Sequence, residues 1–216
     1  MDRFLAGVDL FKRLAPIERQ RLASVCRERR YAKGEVVFHA GDPAESVCIV
    51  KAGRVHLMQL LESGQASTTC VMTSGEVFCC LPALDRQPYP VDAIAAVDSV
   101  VVRIPTNAFH ELLQKNPAFL QESLCLFCAR LRQVEHKSCM IYDSAECRIA
   151  QSLVTLAKKF GPTIPLTKHE LAELANTTVE TAIRVLSHLK QQGIVTSGRG
   201  STTISKLDQL ERLARL

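Results

Sequence analysis

Apolar and polar positions change their rhythm three times along this chain. Over residues 3–28 apolar and charged positions alternate at helical spacing, as in FLAGVDLFKRL and IERQRLASV, which predicts one or two short helices. From Tyr31 the pattern becomes VVF, VCIV, VHLMQLL, STTCVM and SVVVRI. These short β-branched runs are separated by turn signals at Lys33-Gly34, Gly41-Asp42-Pro43, Lys51-Ala52-Gly53, Glu62-Ser63-Gly64 and Thr73-Ser74-Gly75. Closely spaced strands with glycine turns predict a sandwich, barrel or roll.

A short helix, TNAFHELLQKN, is predicted to stop before Pro117. A long helix then runs to about Ile141. Its Leu120, Leu124, Phe127, Leu131, Val134, Ser138 and Ile141 recur at alternating spacings of four and three, a heptad seam suited to a second copy of the same helix. The same stripe also suits packing on the chain's own β-domain. Tyr142-Asp143-Ser144 reads as a hinge, with Asp143 or Ser144 as cap and Glu146 as its capping-box partner.

Beyond the hinge, AECRIAQSLVTLAKKF is an amphipathic helix ended by Gly161-Pro162. LTKHELAELA is a short helix with Thr167 as N-cap and Glu170 three residues on. Asn176 occupies the following turn, where a left-handed residue is often needed. TVETAIRVLSHLKQQ is a second helix ended by Gly193, and IVTSG and STTIS form a small hairpin around Arg199-Gly200. Helix, tight turn, helix and hairpin make a winged helix-turn-helix. The expected class is therefore α+β in three parts: a β-roll over 1–116, a dimerisation helix over 117–142 and a DNA-binding domain over 143–216.

In such a motif the second helix enters the major groove, led by its N-terminal residues. Here these are Thr177, Thr178, Val179, Glu180, Thr181 and Arg184. Glu180 and Arg184 share a face, where Arg can donate to guanine O6 and N7 and Glu can accept from cytosine N4. Val179 suits a thymine methyl. Thr167, Lys168, His188, Lys190, Arg199 and Ser201 are candidate phosphate contacts, and each is equally compatible with solvated surface.

Composition changes little in this picture. A net charge of +5 over 216 residues permits a polyanionic partner without requiring one. There is neither a signal-peptide pattern nor an apolar run long enough for a membrane span, so a cytoplasmic protein is expected. Nine cysteines without a repeated metal-ligand spacing are then expected to be reduced.

These features together resemble the CRP/FNR family of bacterial regulators over nearly the whole chain. The likeness rests on Lys33-Gly34-Glu35, Gly41, Gly53, Gly75-Glu76 and LTKHELAELANTTVETAIRVLSHLKQQGIV. It implies a jelly roll like that of cyclic-nucleotide-binding domains and a homodimer on an inverted-repeat DNA operator. Glu180 and Arg184 would read a TGA-like core in each half-site, with RNA polymerase a further candidate partner. CRP carries Arg where Val179 stands and FNR carries Ser where Ile183 stands, so the outer operator bases are open. The positions that hold the ribose and phosphate in cyclic AMP binders are Cys80 and Pro90-Val91, which disfavours cyclic AMP. FNR's cluster needs N-terminal cysteines, whereas the first cysteine is Cys26.

TSGEVFCC resembles a stretch of the family's carbon-monoxide-sensing haem regulator, which makes Cys79 a candidate haem ligand. Leu81 stands where that regulator has a His, leaving Cys80, His56 or His136 as the second ligand, or a five-coordinate site. The cysteines outside Cys79 and Cys80 are read first as small apolar filler in cores and seams, and two functional alternatives stand beside that reading. One is a thiol switch, or a cluster assembled from Cys79, Cys80, Cys125 and Cys128, with Cys139 and Cys147 flanking the hinge. The other is a cysteine enzyme pairing Cys79 with a His; no motif supplies a substrate pocket, and the overall expectation is not an enzyme.

Overall fold

The computed structural model describes residues 1–60, 66–139 and 143–214; the side chains of residues 60, 66, 133 and 136–139 are also outside it. Thus the Glu62-Ser63-Gly64 turn, Ile141, Tyr142 and the side chains of His136, Ser138 and Cys139 lie outside the described residues. The chain divides into two compact units, residues 1–59 with 69–134 and residues 60–68 with 135–216.

The first unit opens with α1 (Asp2–Leu5) and α2 (Pro16–Val25), followed by β1 (Arg27–Tyr31), β2 (Val36–Phe38), β3 (Ser46–Ala52), β4 (Arg54–Leu60), β5 (Ala66–Thr73) and β6 (Val77–Phe78). Then come α3 (Pro82–Asp85), β7 (Asp92–Ala95), β8 (Ser99–Pro105), α4 (Thr106–Lys115) and α5 (Pro117–Cys139). The strands form two four-stranded sheets, ordered β1-β8-β3-β6 and β2-β7-β4-β5.

Strand β3 explains the architecture. Successive side chains on a strand point to opposite faces. Cys48 and Val50 enter the core between the sheets, while Val47 and Ile49 pack outward. The outer core also takes Phe11, Leu22, Phe109 and Phe119 from the helical segments. Both faces are covered, so VCIV reads as an unbroken apolar run. β1, with the sequence RERRY, is an edge strand in which only Tyr31 is buried. It shows no apolar alternation, and the sequence reading ran the helical segment on to residue 28, into its first two residues.

The second unit contains α6 (Ala145–Phe160), β9 (Thr163–Ile164), α7 (Lys168–Leu174), α8 (Val179–Gln191), β10 (Val195–Gly198), β11 (Ser201–Ile204) and α9 (Leu207–Leu213). β9 joins the β10–β11 hairpin as a third strand. Cys147, Ile149, Ala150, Leu153, Val154 and Leu156 bury one side of α6; Ala182, Val185, Leu186 and Leu189 do so for α8. Both sets follow the spacing of a single helical face.

The cap of α6 selects one of the two expected cap residues and corrects the role expected of Glu146. Ser144 is the N-cap, and its hydroxyl accepts from the Cys147 N–H at 3.2 Å. Glu146 therefore sits one residue too early to close a capping box, and pairs with His188 instead at 3.1 Å.

Candidate DNA-reading site and sensor-domain cysteines

The entry to α8 is built by three local devices. Thr167 and Glu170 form a complete capping box on α7: the Thr167 hydroxyl accepts from the Glu170 N–H at 3.2 Å, and the Thr167 N–H donates to Glu170 Oε2 at 2.7 Å. Asn176 takes a left-handed conformation, with φ of 46°, which turns the chain between the helices. Thr178 then caps α8, its hydroxyl accepting from the Thr181 N–H at 3.2 Å. Such caps satisfy backbone donors that helix geometry leaves unpaired.

A fourth device had no signal in the sequence. The Arg148 guanidinium, on α6, donates through Nε to the Ala175 carbonyl at 2.8 Å and through NH2 to the Asn176 carbonyl at 3.1 Å. Through NH1 it also reaches the Asp143 carbonyl. One cation thereby ties Asp143, just before the start of α6, to the turn that aims α8.

Glu180 and Arg184 are both exposed on the outer face of α8. The Glu180 carboxyl is held below its usual range by its own backbone N–H at the helix start and by the Thr178 hydroxyl. It is thus an acceptor at neutral pH. Thr178 is exposed, while Val179 and Thr181 are half-buried beside the pair. Thr177 is half-buried and donates its N–H to the Ala172 carbonyl at 3.0 Å. Lys168 is exposed at the start of α7, Arg199 at the wing turn and Lys190 near the end of α8; Ser201 is half-buried.

His188 is exposed but engaged: Nδ1 faces Glu146 Oε1, and Gln192 Nε2 lies 3.1 Å from Nε2. A phosphate contact there has to compete with Glu146. An open groove beside this pair is lined by Glu146, Arg184, Val185, Ser187, His188 and Gln191.

In the first unit the neighbouring cysteines part company. Cys79 enters the core between the sheets and Cys80 the outer core. Cys79 has a φ of 56°, a conformation that costs most residues other than glycine about 1 kcal/mol or more. Burial pushes the Cys79 thiol far up and those of Cys48 and Cys80 to about 11. Arg130 of α5 donates to the Val77 carbonyl and lowers both Cys79 and Cys80, but burial prevails.

Cys125 and Cys128 are exposed on α5. The expected assembly of Cys79, Cys80, Cys125 and Cys128 is therefore not formed. Among the described residues no group of three or more His, Cys, Asp or Glu side chains is arranged to hold a metal ion. Cys147 is buried, its thiol 3.6 Å from Asp143 Oδ2.

His136, one of the haem ligands considered, lies outside the described residues. Of the others, Cys79 is packed among apolar side chains, where burial favours its thiol form, Cys80 faces the other core, and His56 is buried within β4. The same burial disfavours Cys79 as an enzyme nucleophile, since the thiolate is the reactive form.

On α5, Leu126 and Phe127 pack against the unit's own outer core, while Leu120, Leu124, Leu131 and Val134 are exposed. The stripe is thus split: Phe127 packs within its own unit, and Leu120, Leu124, Leu131 and Val134 leave an apolar face exposed. Among the described residues, no helix is long and apolar enough to cross a membrane.

Comparison with known proteins agrees with this geometry. Residues 28–116 match the cyclic nucleotide-binding domain family, and residues 147–213 match the Crp-like helix-turn-helix domain family. The cyclic AMP receptor protein of Thermus thermophilus is 29% identical over 212 residues, covering 97% of this chain and 98% of that protein. The transcriptional activator protein anr of Pseudomonas aeruginosa is 27% identical over 199 residues, covering 88% of this chain and 80% of its own. FixK2 from Bradyrhizobium japonicum shares the fold with a TM-score of 0.80 at 22% identity, covering 88% of this chain and 97% of its own. With its nucleotide-binding-type β-domain followed by a Crp-like helix-turn-helix, this chain belongs to the CRP/FNR family of DNA-binding transcription regulators, which are not enzymes.

Proposed function

We propose that this chain acts in the cytoplasm as a homodimer on an inverted-repeat operator, under the control of an effector sensed by its β-domain. The observation that carries this reading is the exposed Glu180–Arg184 pair at the start of a capped helix whose approach is fixed by Asn176 and Arg148. Each half-site is read by Glu180 and Arg184, flanked by Thr177, Thr178, Val179 and Thr181. Thr167, Lys168, Arg199 and, in competition with Glu146, His188 meet the backbone. Half-sites lie about one helical turn apart.

The dimer forms through residues 117–142, where Leu120, Leu124, Leu131 and Val134 supply an apolar stripe for a second copy. RNA polymerase is the partner that the bound dimer recruits or blocks. The effector is not cyclic AMP, although the Thermus relative is named for it. Cys80, Pro90 and Val91 stand where the contacts to ribose and phosphate are expected, and none offers a cation to the phosphate.

Two experiments test this reading. Sedimentation velocity should give a dimer for the native chain and a monomer for Leu124→Glu/Leu131→Glu, with operator affinity lost in parallel; a monomeric native chain that still protects both half-sites would contradict it. Millimolar cyclic AMP should leave both the melting temperature and operator affinity unchanged; a rise in either would overturn the exclusion.

A further inference from the structure

Building on the DNA-reading assignment above, we propose that Ile183 reads the C5 methyl group of a thymine beside the bases addressed by Glu180 and Arg184. The operator then carries a thymine requirement that neither charged residue imposes.

The argument starts from an apolar side chain in an unexpected place. Ala182, Val185, Leu186 and Leu189 of α8 are buried in the unit's core. Ile183 is 41% exposed. Among the described residues of the second unit, Leu207 is the one other exposed large apolar side chain. Exposed apolar residues are common singly and need no explanation by themselves. The position of this one is what matters. Ile183 lies three residues after Glu180 and one before Arg184, at the edge of the reading face. It is also four residues from half-buried Val179 and four from exposed Ser187. Residues spaced by four line up along a helix, so a column of Val179, Ile183 and Ser187 runs beside the polar pair.

Ile183 is also branched at Cβ, which leaves it essentially one side-chain rotamer on a helix. Its methyl groups are therefore presented with little ordering left to lose. In the major groove the thymine C5 methyl is the apolar feature available, whereas cytosine offers an N4 amino group and adenine an N6 amino group there. Pressing isoleucine against an amino group would desolvate a donor without giving it an acceptor. Methyl contact and the penalty on other bases therefore favour the same base.

The test begins with selection of the operator from a randomised duplex pool at micromolar protein, so that a partly populated binding-competent state suffices. Each thymine of the selected operator is then replaced by deoxyuridine, which removes the methyl group and leaves the base's hydrogen bonds intact. At one thymine per half-site next to the bases read by Glu180 and Arg184, the native protein should lose about fourfold in affinity. Replacing both half-sites should cost about 15-fold, the worth of one buried methyl group at each.

Ile183→Ser should bind the unmodified operator more weakly and no longer distinguish thymine from uracil at that position. Indifference of the native protein to every replacement would overturn the proposal, as would discrimination that persists in Ile183→Ser or is abolished only by Val179→Ser. Failure to select any sequence would overturn the DNA-reading assignment itself, an outcome distinct from selection of an operator that ignores the methyl group.

Discussion

Replacing Arg148 by methionine isolates the contact that aims the recognition helix. Methionine keeps an apolar stem of similar length and removes every donor. The lost bonds run from one cation to the carbonyls of Ala175, Asn176 and Asp143. A hydrogen bond from a charged donor contributes about 1.5–3 kcal/mol when well buried and less when water can replace it. Arg148 is half-buried and its bond to Asn176 is exposed, so we assign about 2–3 kcal/mol to the three bonds together, up to about 1 kcal/mol each and below the range for a well-buried bond.

At about 1.4 kcal/mol per factor of ten, the loss corresponds to a fall in protection of about 30- to 140-fold. Hydrogen exchange followed by mass spectrometry should show it in peptides covering residues 168–191, with peptides from the β-sheets unchanged. Operator affinity should fall with it. Arg148→Lys should recover part of the protection, because an ammonium keeps the charge but cannot span three carbonyls. A change of less than threefold in Arg148→Met would refute the clamp.

Other consequences concern the β-domain. A Cβ at Gly53, where φ is +88°, would lie 2.6 Å from the Asp98 carbonyl oxygen and 2.7 Å from Ser99 Cα; at Gly34, where φ is +83°, it would meet nothing within 4 Å. Gly34→Ala should therefore cost only the conformational term, about 1 kcal/mol. Gly53→Ala should cost about 2–4 kcal/mol by urea denaturation, since overpacking is added; equal costs would contradict the close approach.

Iodoacetamide at neutral pH should label Cys125 and Cys128 quickly and Cys48, Cys79 and Cys80 slowly, as read by mass spectrometry; rapid labelling of Cys79 would contradict its buried, protonated state. Cys26, Cys48 and Cys80 are raised by burial from an ordinary 9.0 to about 11. Above pH 9 the unfolded thiols ionise first, so the folded chain then binds more protons. Their contribution is complete below pH 9 and is lost as pH rises to about 11, at up to about 1.4 kcal/mol per pH unit for each thiol. A smaller alkaline loss in Cys48→Ala than in the native chain would support this, and an unchanged slope would refute it.

The legible parts of the molecule were those whose signals are local. The Thr167–Glu170 cap, the turn at Asn176 and the periodicity of α8 lie within a few residues of one another, and the structure forms all three. Three other features depend on neighbours that the chain brings in from a distance. Arg148 binds carbonyls 27 and 28 residues away, and a carbonyl group leaves no mark on sequence. Glu146 was read as a cap partner because its actual partner, His188, is 42 residues on. β1 pairs with β8 along one edge, and its exposed arginines hide its extended conformation. Cys79 and Cys80 read as one site when written side by side. Their side chains leave the chain toward opposite cores, which separates them. α9 was not anticipated; its buried Leu210 and the contact of Gln151 Nε2 with the Ala214 carbonyl at 2.9 Å tie it to α6.

The most direct test of the account is a fluorescence-anisotropy titration of the native chain and Arg184→Ala against the selected operator and a scrambled duplex, at one salt concentration. The native chain should prefer the operator by about a thousandfold or more, and Arg184→Ala should bind both duplexes alike, at the affinity of non-specific contact. Equal affinity of the native chain for the two duplexes, or a preference that survives in Arg184→Ala, would contradict the claim that α8 reads sequence through Arg184.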